Sequence, residues 1–234
     1  MTQVGFRIFT DIERADKSLV ERFAKIPTSN INDQMNRLYN TDSTIKPLNK
    51  AKMAGTAFTV RCAAGDNMMF HRALDLAQPG DVIVVDDGGC MVRSLAGEIM
   101  MTYAQLRGIA GIAVNGCLRD SDALCEMTMP IYCKGITPQG PFKNGPGEIN
   151  VPVNLGGVVV MPGDIIIGDP DGIVVIRKED AADVIEAAEK KVAGETVKLN
   201  KYHTEGPDVD VHGPNWEKNV AKAGCVTING KQKF

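Results

Sequence analysis

Short apolar runs alternate with helix-like segments through the first half of the chain, and this alternation limits the fold more than any other feature. Residues 81–85 (DVIVV) and 111–114 (GIAV) are typical of buried strands. Residues 66–77 and 95–106 have the apolar spacing of helices. Strands that alternate with helices are typical of parallel sheets covered by helices, so the pattern predicts an α/β fold.

The second half of the chain has a different pattern. Residues 137–154 are dense in Gly and Pro, which predicts a long loop. Three short strand-like runs then follow one another between residues 157 and 176, before an amphipathic helix at 179–192. Strands joined without helices pair antiparallel, so we expect the fold to contain both parallel and antiparallel strands.

The length of 234 residues and the 44% hydrophobic content predict one large globular domain. A core of that size needs no disulfide or metal to hold it together. We expect residues 1–196 to form a single α/β domain. Residues 197–234 are predicted to be a C-terminal extension, which could act as an oligomer arm or simply be mobile.

Charge and residue counts exclude several classes of function. Lys and Arg number 26 against 29 Asp and Glu, so no basic field is available for nucleic acid. No apolar run approaches the roughly 20 residues of a membrane span, and the charged first twenty residues do not form a signal peptide. We therefore expect a cytoplasmic protein that binds neither nucleic acid nor membrane. Six scattered cysteines without a CxxC pair predict free thiols, and only three histidines are present.

Polar residues follow both apolar strands, at residues 86–89 (DDGG) and 115–120 (NGCLRD). Carboxyl ends of strands are where open α/β sheets place their sites. The planar guanidinium of Arg119 suits a carboxylate, and the Asp120 carboxylate suits a hard divalent ion. The alternative is an exposed Arg–Asp ion pair, with Asp120 or Ser121 capping the next helix.

Gly97 and Glu98 lie at or near the predicted start of a helix. If the helix begins there, the backbone amides of Ile99 and Met100 form an anion-binding end. Glu98 would add a second carboxylate, acting as a base or orienting a water.

The spacing of Gly97-Glu98, twenty residues and then Arg119-Asp120 resembles the signature of the RraA-like family. This family includes the 4-hydroxy-4-methyl-2-oxoglutarate (HMG) / 4-carboxy-4-hydroxy-2-oxoadipate (CHA) aldolases. Three further segments are similar to the family, residues 65–89, 108–124 and 153–176. The resemblance as a whole runs from about residue 26 to residue 194.

The resemblance implies a layered α-β-β-α sandwich of the swivelling-domain type with mixed sheets. It also implies a homo-oligomer, a trimer or hexamer, with sites between subunits. By the same resemblance Asp120 would hold Mg²⁺ or Mn²⁺, and Arg119 would bind the keto-acid end of a small 2-oxo acid. The amides of Ile99 and Met100 would contact the pyruvate carboxylate. Asn67 would line the same pocket, or alternatively serve a turn or a helix cap.

Two departures from the family pattern matter. Position 98 is Glu, where the aldolases carry Asp, and the extra methylene changes how a water would be held. The ribonuclease-regulator branch, which inhibits ribonuclease E, lacks the acidic residue that Asp120 supplies here. The resemblance therefore implies a divalent-metal-dependent class II aldolase-type lyase that releases pyruvate, with oxaloacetate decarboxylation as a side activity. The alternatives are a non-catalytic oligomeric regulator of a ribonuclease and a Schiff-base aldolase that uses Lys134.

Overall fold

The structure is a computed structural model that describes residues 3–206 and 216–232. Two compact units are distinguished, residues 1–190 and residues 191–234. In the predicted extension, residues 207–215, which include His212, and residues 233–234 lie outside the described residues. In the described ranges, no helix is long and apolar enough to cross a membrane.

The strands are β1 (Phe6–Ile8), β2 (Lys46–Pro47), β3 (Met53–Cys62), β4 (Asp81–Ser94), β5 (Gly111–Leu118), β6 (Ile131–Ile136), β7 (Gly147–Ile149), β8 (Val153–Leu155), β9 (Val158–Val160), β10 (Ile165–Asp169) and β11 (Gly172–Ile176). The helices are α1 (Lys17–Phe23), α2 (Thr28–Gln34), α3 (Met68–Leu76), α4 (Glu98–Leu106), α5 (Ser121–Cys125), α6 (Ala181–Glu205) and α7 (Trp216–Lys222).

Most strands belong to one mixed sheet with the order β1-β7-β3-β4-β5-β6-β2. Strands β3, β4, β5 and β6 are parallel neighbours, whereas β10 pairs antiparallel with both β3 and β11. Strands β8 and β9 form a separate antiparallel pair. The predicted mixture of parallel and antiparallel strands is confirmed, while the layered α-β-β-α sandwich stays a prediction.

The first part of the central strand β4, residues 81–85, is buried on both faces. Ile83 and Val85 pack in a cluster with apolar residues of α3 and α4. Val82 and Val84 point the other way and pack with residues of β8 to β11. Successive side chains of a strand face opposite sides, so a continuous apolar run serves two cores at once. This explains why residues 81–85 lack polar alternation.

Strand β4 is longer than predicted, because it does not end at residue 85 but continues to Ser94. After Asp86 the ladder against β5 becomes irregular. The Asp86 carboxylate makes one local bond, accepting from Gly88 N at 2.9 Å, and both Asp86 and Asp87 also accept from distant backbone. Asp86 Oδ2 accepts from Asn154 N at 3.0 Å and Asp87 Oδ1 accepts from Gly65 N at 2.7 Å.

The Gly- and Pro-rich segment 137–154 is not wholly a loop. It contains β7 and the start of β8, and β7 pairs with both β1 and β3. These pairings join residues far apart in the sequence, which local composition does not register. Two helices also differ from expectation: α3 begins at Met68, and α6 runs to Glu205, well beyond the predicted end at 192.

Candidate active site

The site forms where the ends of β4 and β5 approach the start of α4. Leu95 N donates to Cys117 O at 2.9 Å, and Arg119 N donates to Ala96 O at 3.0 Å. These backbone bonds hold the two strand ends side by side. Arg119 and Asp120 therefore lie directly beside Gly97, as the carboxyl-end rule for α/β sheets predicts.

Gly97 is required by space. Its φ of −145° is ordinary extended backbone. A Cβ at this position, however, would overlap Asp120 Oδ2 and lie 2.9 Å from Arg119 Cγ. A side chain at position 97 would therefore displace the Asp120 carboxylate.

Asp120 adopts the left-handed conformation with φ of 58°, which is costly for a residue other than glycine and is concentrated at functional sites. It occupies the N-cap position of α5, but its side chain forms no capping bond there. Instead Asp120 Oδ2 accepts from Glu98 N at 3.0 Å, at the start of α4. Asp120 is thus the residue that caps α5, as the alternative predicts, but it does so through its backbone oxygen, which accepts from Leu124 N at 3.1 Å.

The other part of that alternative, an Arg–Asp ion pair, is present. Arg119 Nε lies 3.7 Å from Asp120 Oδ2, and both side chains are 44% exposed. An exposed pair at this distance contributes little to stability, between about 0 and 1 kcal/mol. Both charges remain accessible to a ligand.

Arg119 and Asp120 line two clefts. The larger, of about 550 Å³, is also lined by Glu98, Ser121, Asp122, Ala123, Ile136, Thr137 and Pro138. The smaller, of about 150 Å³, is also lined by Asn67, His71, Leu95, Ala96, Gly97, Ile99, Met100, Pro141 and Lys143. The structure thus brings Asn67, Gly97, Ile99 and Met100 into one cleft with Arg119 and Asp120, whereas Glu98 faces the other.

The start of α4 at Gly97-Glu98 is confirmed. The bond from Met101 N to Gly97 O, at 3.1 Å, opens the helix, and Glu98 N is bound to Asp120. Helix geometry gives the amides of Ile99 and Met100 no acceptor within the helix. Both residues line the smaller cleft, where the positive end of the helix favours an anion. Binding of a carboxylate there stays a prediction.

Asn67 is a wall of the smaller cleft. It is 2% exposed, and its Nδ2 donates to Leu95 O at 2.7 Å. Among the residues that the structure describes, its buried Oδ1 has no hydrogen-bond partner. A buried acceptor without a partner costs about 1–3 kcal/mol, which a polar ligand or water in the cleft would relieve. Asn67 occupies the N-cap position of α3, as the cap alternative predicts, but its side chain forms no capping bond.

Two residues with titratable side chains in the smaller cleft, Lys143 and His71, were not predicted as site residues. Burial lowers the pKa of His71, and the Lys143 ammonium lowers it further, which favours a neutral imidazole. The only sequence signal for Lys143 is a lone basic residue inside the Gly- and Pro-rich segment. Its placement depends on long-range contacts of that segment.

Lys134 lies on β6, away from this arrangement. Its Nζ lies 3.4 Å from where a Cβ of Gly89 would stand. Among the described residues that line the two clefts, Lys134 does not occur. The structure does not bring Lys134 to Arg119 and Asp120.

A buried carboxyl group, Asp87, accepts from the backbone of Gly65, two residues before Asn67. Burial raises its pKa to about 7, although the bond from Gly65 N opposes this rise. Within the described residues its Oδ2 has no hydrogen-bond partner. A Cβ at Gly116 would stand 2.8 Å from that oxygen, so the carboxyl group is tightly enclosed.

Asp120 is the protein carboxylate best placed to hold a metal ion. Across residues 3–206 and 216–232, no group of three or more His, Cys, Asp or Glu side chains is arranged to hold one. An ion at Asp120 would take its other ligands from water and substrate, as Mg²⁺ commonly does. The exposed carboxylate fits such a partly hydrated ion.

Comparison with known proteins agrees with the sequence resemblance. Residues 28–175 match the family model described as RraA-like, Aldolase/RraA. The chain belongs to the RraA-like family. An RraA-like relative from Halalkalibacterium halodurans, named "Putative 4-hydroxy-4-methyl-2-oxoglutarate aldolase", is 43% identical over 183 residues, covering 78% of this chain and 87% of the relative. A relative of the same name from Ectopseudomonas mendocina is 37% identical over 121 residues, covering 52% of this chain and 74% of the relative.

Solved RraA-like structures are also similar. The crystal structure of Streptomyces coelicolor RraAS2 is described as an unusual member of the RNase ES inhibitor RraA protein family. It matches with a TM-score of 0.74 at 28% identity, covering 81% of this chain and 99% of that chain. The chain is therefore similar in sequence to proteins named as aldolases and similar in structure to a protein named for ribonuclease inhibition.

Proposed function

We propose that this RraA-like protein is a divalent-metal-dependent lyase of the class II aldolase type. Its substrate would be a 4-hydroxy-2-oxo dicarboxylic acid of the HMG or CHA type, and its product pyruvate. The observation that carries the proposal is the single cleft in which Arg119 and Asp120 meet the first turn of α4. The relatives named as aldolases support the same reaction class.

Asp120 would hold the ion, Mg²⁺ or Mn²⁺. Its carboxylate is exposed to both clefts, and only Oδ2 is engaged by the Glu98 amide. When bound, the ion would supply Lewis-acid stabilisation of negative charge, worth several kcal/mol.

The chain's own groups would bind and orient the 2-oxo acid. The amides of Ile99 and Met100, at the positive end of α4, would hold the C1 carboxylate. The Arg119 guanidinium would donate to the C2 oxygen, on which negative charge develops as the C3–C4 bond breaks. Donors fixed where charge develops favour the transition state over the ground state.

Glu98 would act as the base for the C4 hydroxyl. As that proton leaves, the C4–O bond becomes a carbonyl, and the electrons of the C3–C4 bond move to the enolate of pyruvate. Glu98 faces the larger cleft, next to Arg119 and Asp120. The leaving half of the substrate would therefore lie in the larger cleft and the pyruvate half in the smaller one.

Oxaloacetate should be decarboxylated at the same site. Loss of CO₂ from its C4 leaves the same enolate, so Arg119 and the α4 amides would stabilise both reactions. This side activity requires no base for a C4 hydroxyl. It should therefore survive replacement of Glu98 by Gln better than aldol cleavage does.

The proposal is tested by measuring pyruvate release from HMG and oxaloacetate, coupled to lactate dehydrogenase, with Mg²⁺ or with EDTA. We expect release that depends on the metal and falls at least about 100-fold in Asp120→Asn, the rate equivalent of about 3 kcal/mol. Asp183→Asn, which changes an exposed carboxylate on α6, is the matched control. Release that persists in EDTA, with borohydride capture of pyruvate, would instead support Lys134.

A regulatory role is the second candidate, because the structure is similar to RraAS2. In that case the protein would act as an oligomeric ring that binds a ribonuclease. We propose a homo-oligomer, a trimer or hexamer, for either function, and light scattering in solution measures this directly. Ribonuclease capture by the purified oligomer, without pyruvate release from either substrate, would favour regulation.

A further inference from the structure

Two chain segments that wall the small cleft are joined by backbone hydrogen bonds. Phe142 N donates to Gly65 O at 2.8 Å, and Asn67 N donates to Phe142 O at 3.0 Å. Each segment carries a residue that lines the cleft: 65–67 carries Asn67, and 142–144 carries Lys143. The separation of these two cleft walls therefore depends on how firmly the segments are held together.

Asp66 binds both segments with a single carboxylate. Its Oδ2 accepts from Asn144 N at 2.6 Å, and its Oδ1 accepts from Met68 N at 2.9 Å. Met68 is the first residue of α3, where a negative side chain is also favoured by the helix dipole. Asp66 is 4% exposed, so water does not compete freely for these bonds.

Hydrogen bonds from amides to an ionised carboxylate are roughly twice as strong as neutral ones. Asp66 thus ties the helix that carries His71 to the segment that carries Lys143. Asp66 itself is not among the described residues that line either cleft at Asp120. Its effect on a ligand would be exerted through the residues that it holds.

We propose that Asp66 is a positioning residue, which sets the width of the small cleft and so the affinity for the 2-oxo acid. This inference rests on the proposed function for the identity of the ligand. The tie between the two segments is independent of that function. Loss of Asp66 should weaken binding and leave the bond-breaking step nearly unchanged.

Asp66→Asn and Asp66→Ser test this in complementary ways. In Asp66→Asn, an NH₂ group replaces one oxygen and cannot accept from an amide, so one tie is lost. Serine can still accept from the amide two residues later, but it is too short to reach Asn144. Asp66→Ser therefore keeps α3 capped at Met68 and removes only the bond to Asn144.

Asp86→Asn is the matched control. Asp86 also accepts from two backbone amides, those of Gly88 at 2.9 Å and Asn154 at 3.0 Å. Neither of these amides belongs to a residue that lines the small cleft. The control changes the same chemical group, on β4, without releasing the cleft wall.

We expect both Asp66 variants to raise KM for HMG and the Kd of pyruvate about tenfold or more, with kcat changed less than about threefold. In Asp66→Ser, hydrogen exchange of the Asn144 amide should accelerate by at least the same factor, and Asp86→Asn should change none of these quantities. The proposal is overturned if exchange at Asn144 is unchanged in Asp66→Ser, or if kcat falls while KM and Kd do not.

Failure of the proposed function is recognised separately. If the unmodified protein binds pyruvate but releases none from either substrate, the proposed lyase reaction is wrong. The role of Asp66 is then still tested by the Kd of pyruvate and by hydrogen exchange of the Asn144 amide. If pyruvate does not bind at all, the assigned ligand is wrong, and the claim that Asp66 sets its affinity is overturned with it.

Discussion

Replacing Asp87 with asparagine should stabilise the protein increasingly as pH rises from about 4, and most at alkaline pH. Asp87 is fully buried on β4, with Oδ1 bound by Gly65 N and Oδ2 without a partner among the described residues. Asparagine has the same shape and keeps an oxygen for Gly65. It resembles the protonated acid but does not ionise.

The magnitude follows from the pKa of Asp87, which burial raises from 3.8 to about 7. The nearby carboxylates of Asp86 and Asp66 add to the rise. Between pH 4 and pH 7 the unfolded chain releases this proton while the folded protein retains it, so stability falls as pH rises. Above pH 7 the full loss is about 4 kcal/mol, an upper limit because the native site can admit water.

Urea unfolding of both proteins from pH 5 to pH 8.5 measures this difference. The gain of Asp87→Asn in free energy of unfolding should increase by up to about 2.5 kcal/mol across that range, because part of the total develops below pH 5. Because other titrating groups are shared, their effects cancel in the difference. A gain that is constant with pH, or that decreases with pH, would refute the reasoning about burial.

Two further substitutions test the geometry of the site. Gly97→Ala would place a methyl group against Asp120 Oδ2. Pyruvate release should then fall at least about tenfold, because displacement of a catalytic group by about 1 Å can cost more than that. Normal release would show that the close approach of Gly97 to Asp120 is unnecessary. Lys134→Ala should release pyruvate at the full rate, and borohydride with pyruvate should not label the unmodified protein. Covalent labelling of the unmodified protein that is absent in Lys134→Ala would contradict the metal-dependent mechanism.

The parts of the fold that follow local patterns could be predicted from the sequence. Strands β4 and β5 and the start of α4 have clear apolar or helical spacing, and the rule for strand ends then places Arg119 and Asp120 beside Gly97. The continuation of β4 to Ser94 could not be predicted. Its carboxylates bind backbone from Asn154 and from Gly65, and no local pattern encodes such distant partners.

The candidate site was predicted in part for the same reason. Ile99 and Met100 follow from the helix start, but Lys143 reaches the cleft only because Asp66 and residue 142 bind its segment. Sequence spacing also does not show that there are two clefts. It therefore could not predict that Glu98 lines the larger cleft while Ile99 and Met100 line the smaller one. That separation depends on the direction in which α4 leaves Gly97.

The most direct test of the central claim is exchange of the pyruvate methyl protons with D₂O, followed by proton NMR. The measurement requires only formation of the enolate at Arg119 and Asp120, and it is independent of the natural substrate. We expect exchange with Mg²⁺, none above background with EDTA, and a rate at least about 100-fold lower in Asp120→Asn. Absence of exchange in the unmodified protein with Mg²⁺, or exchange that is equal in Asp120→Asn, would contradict the account.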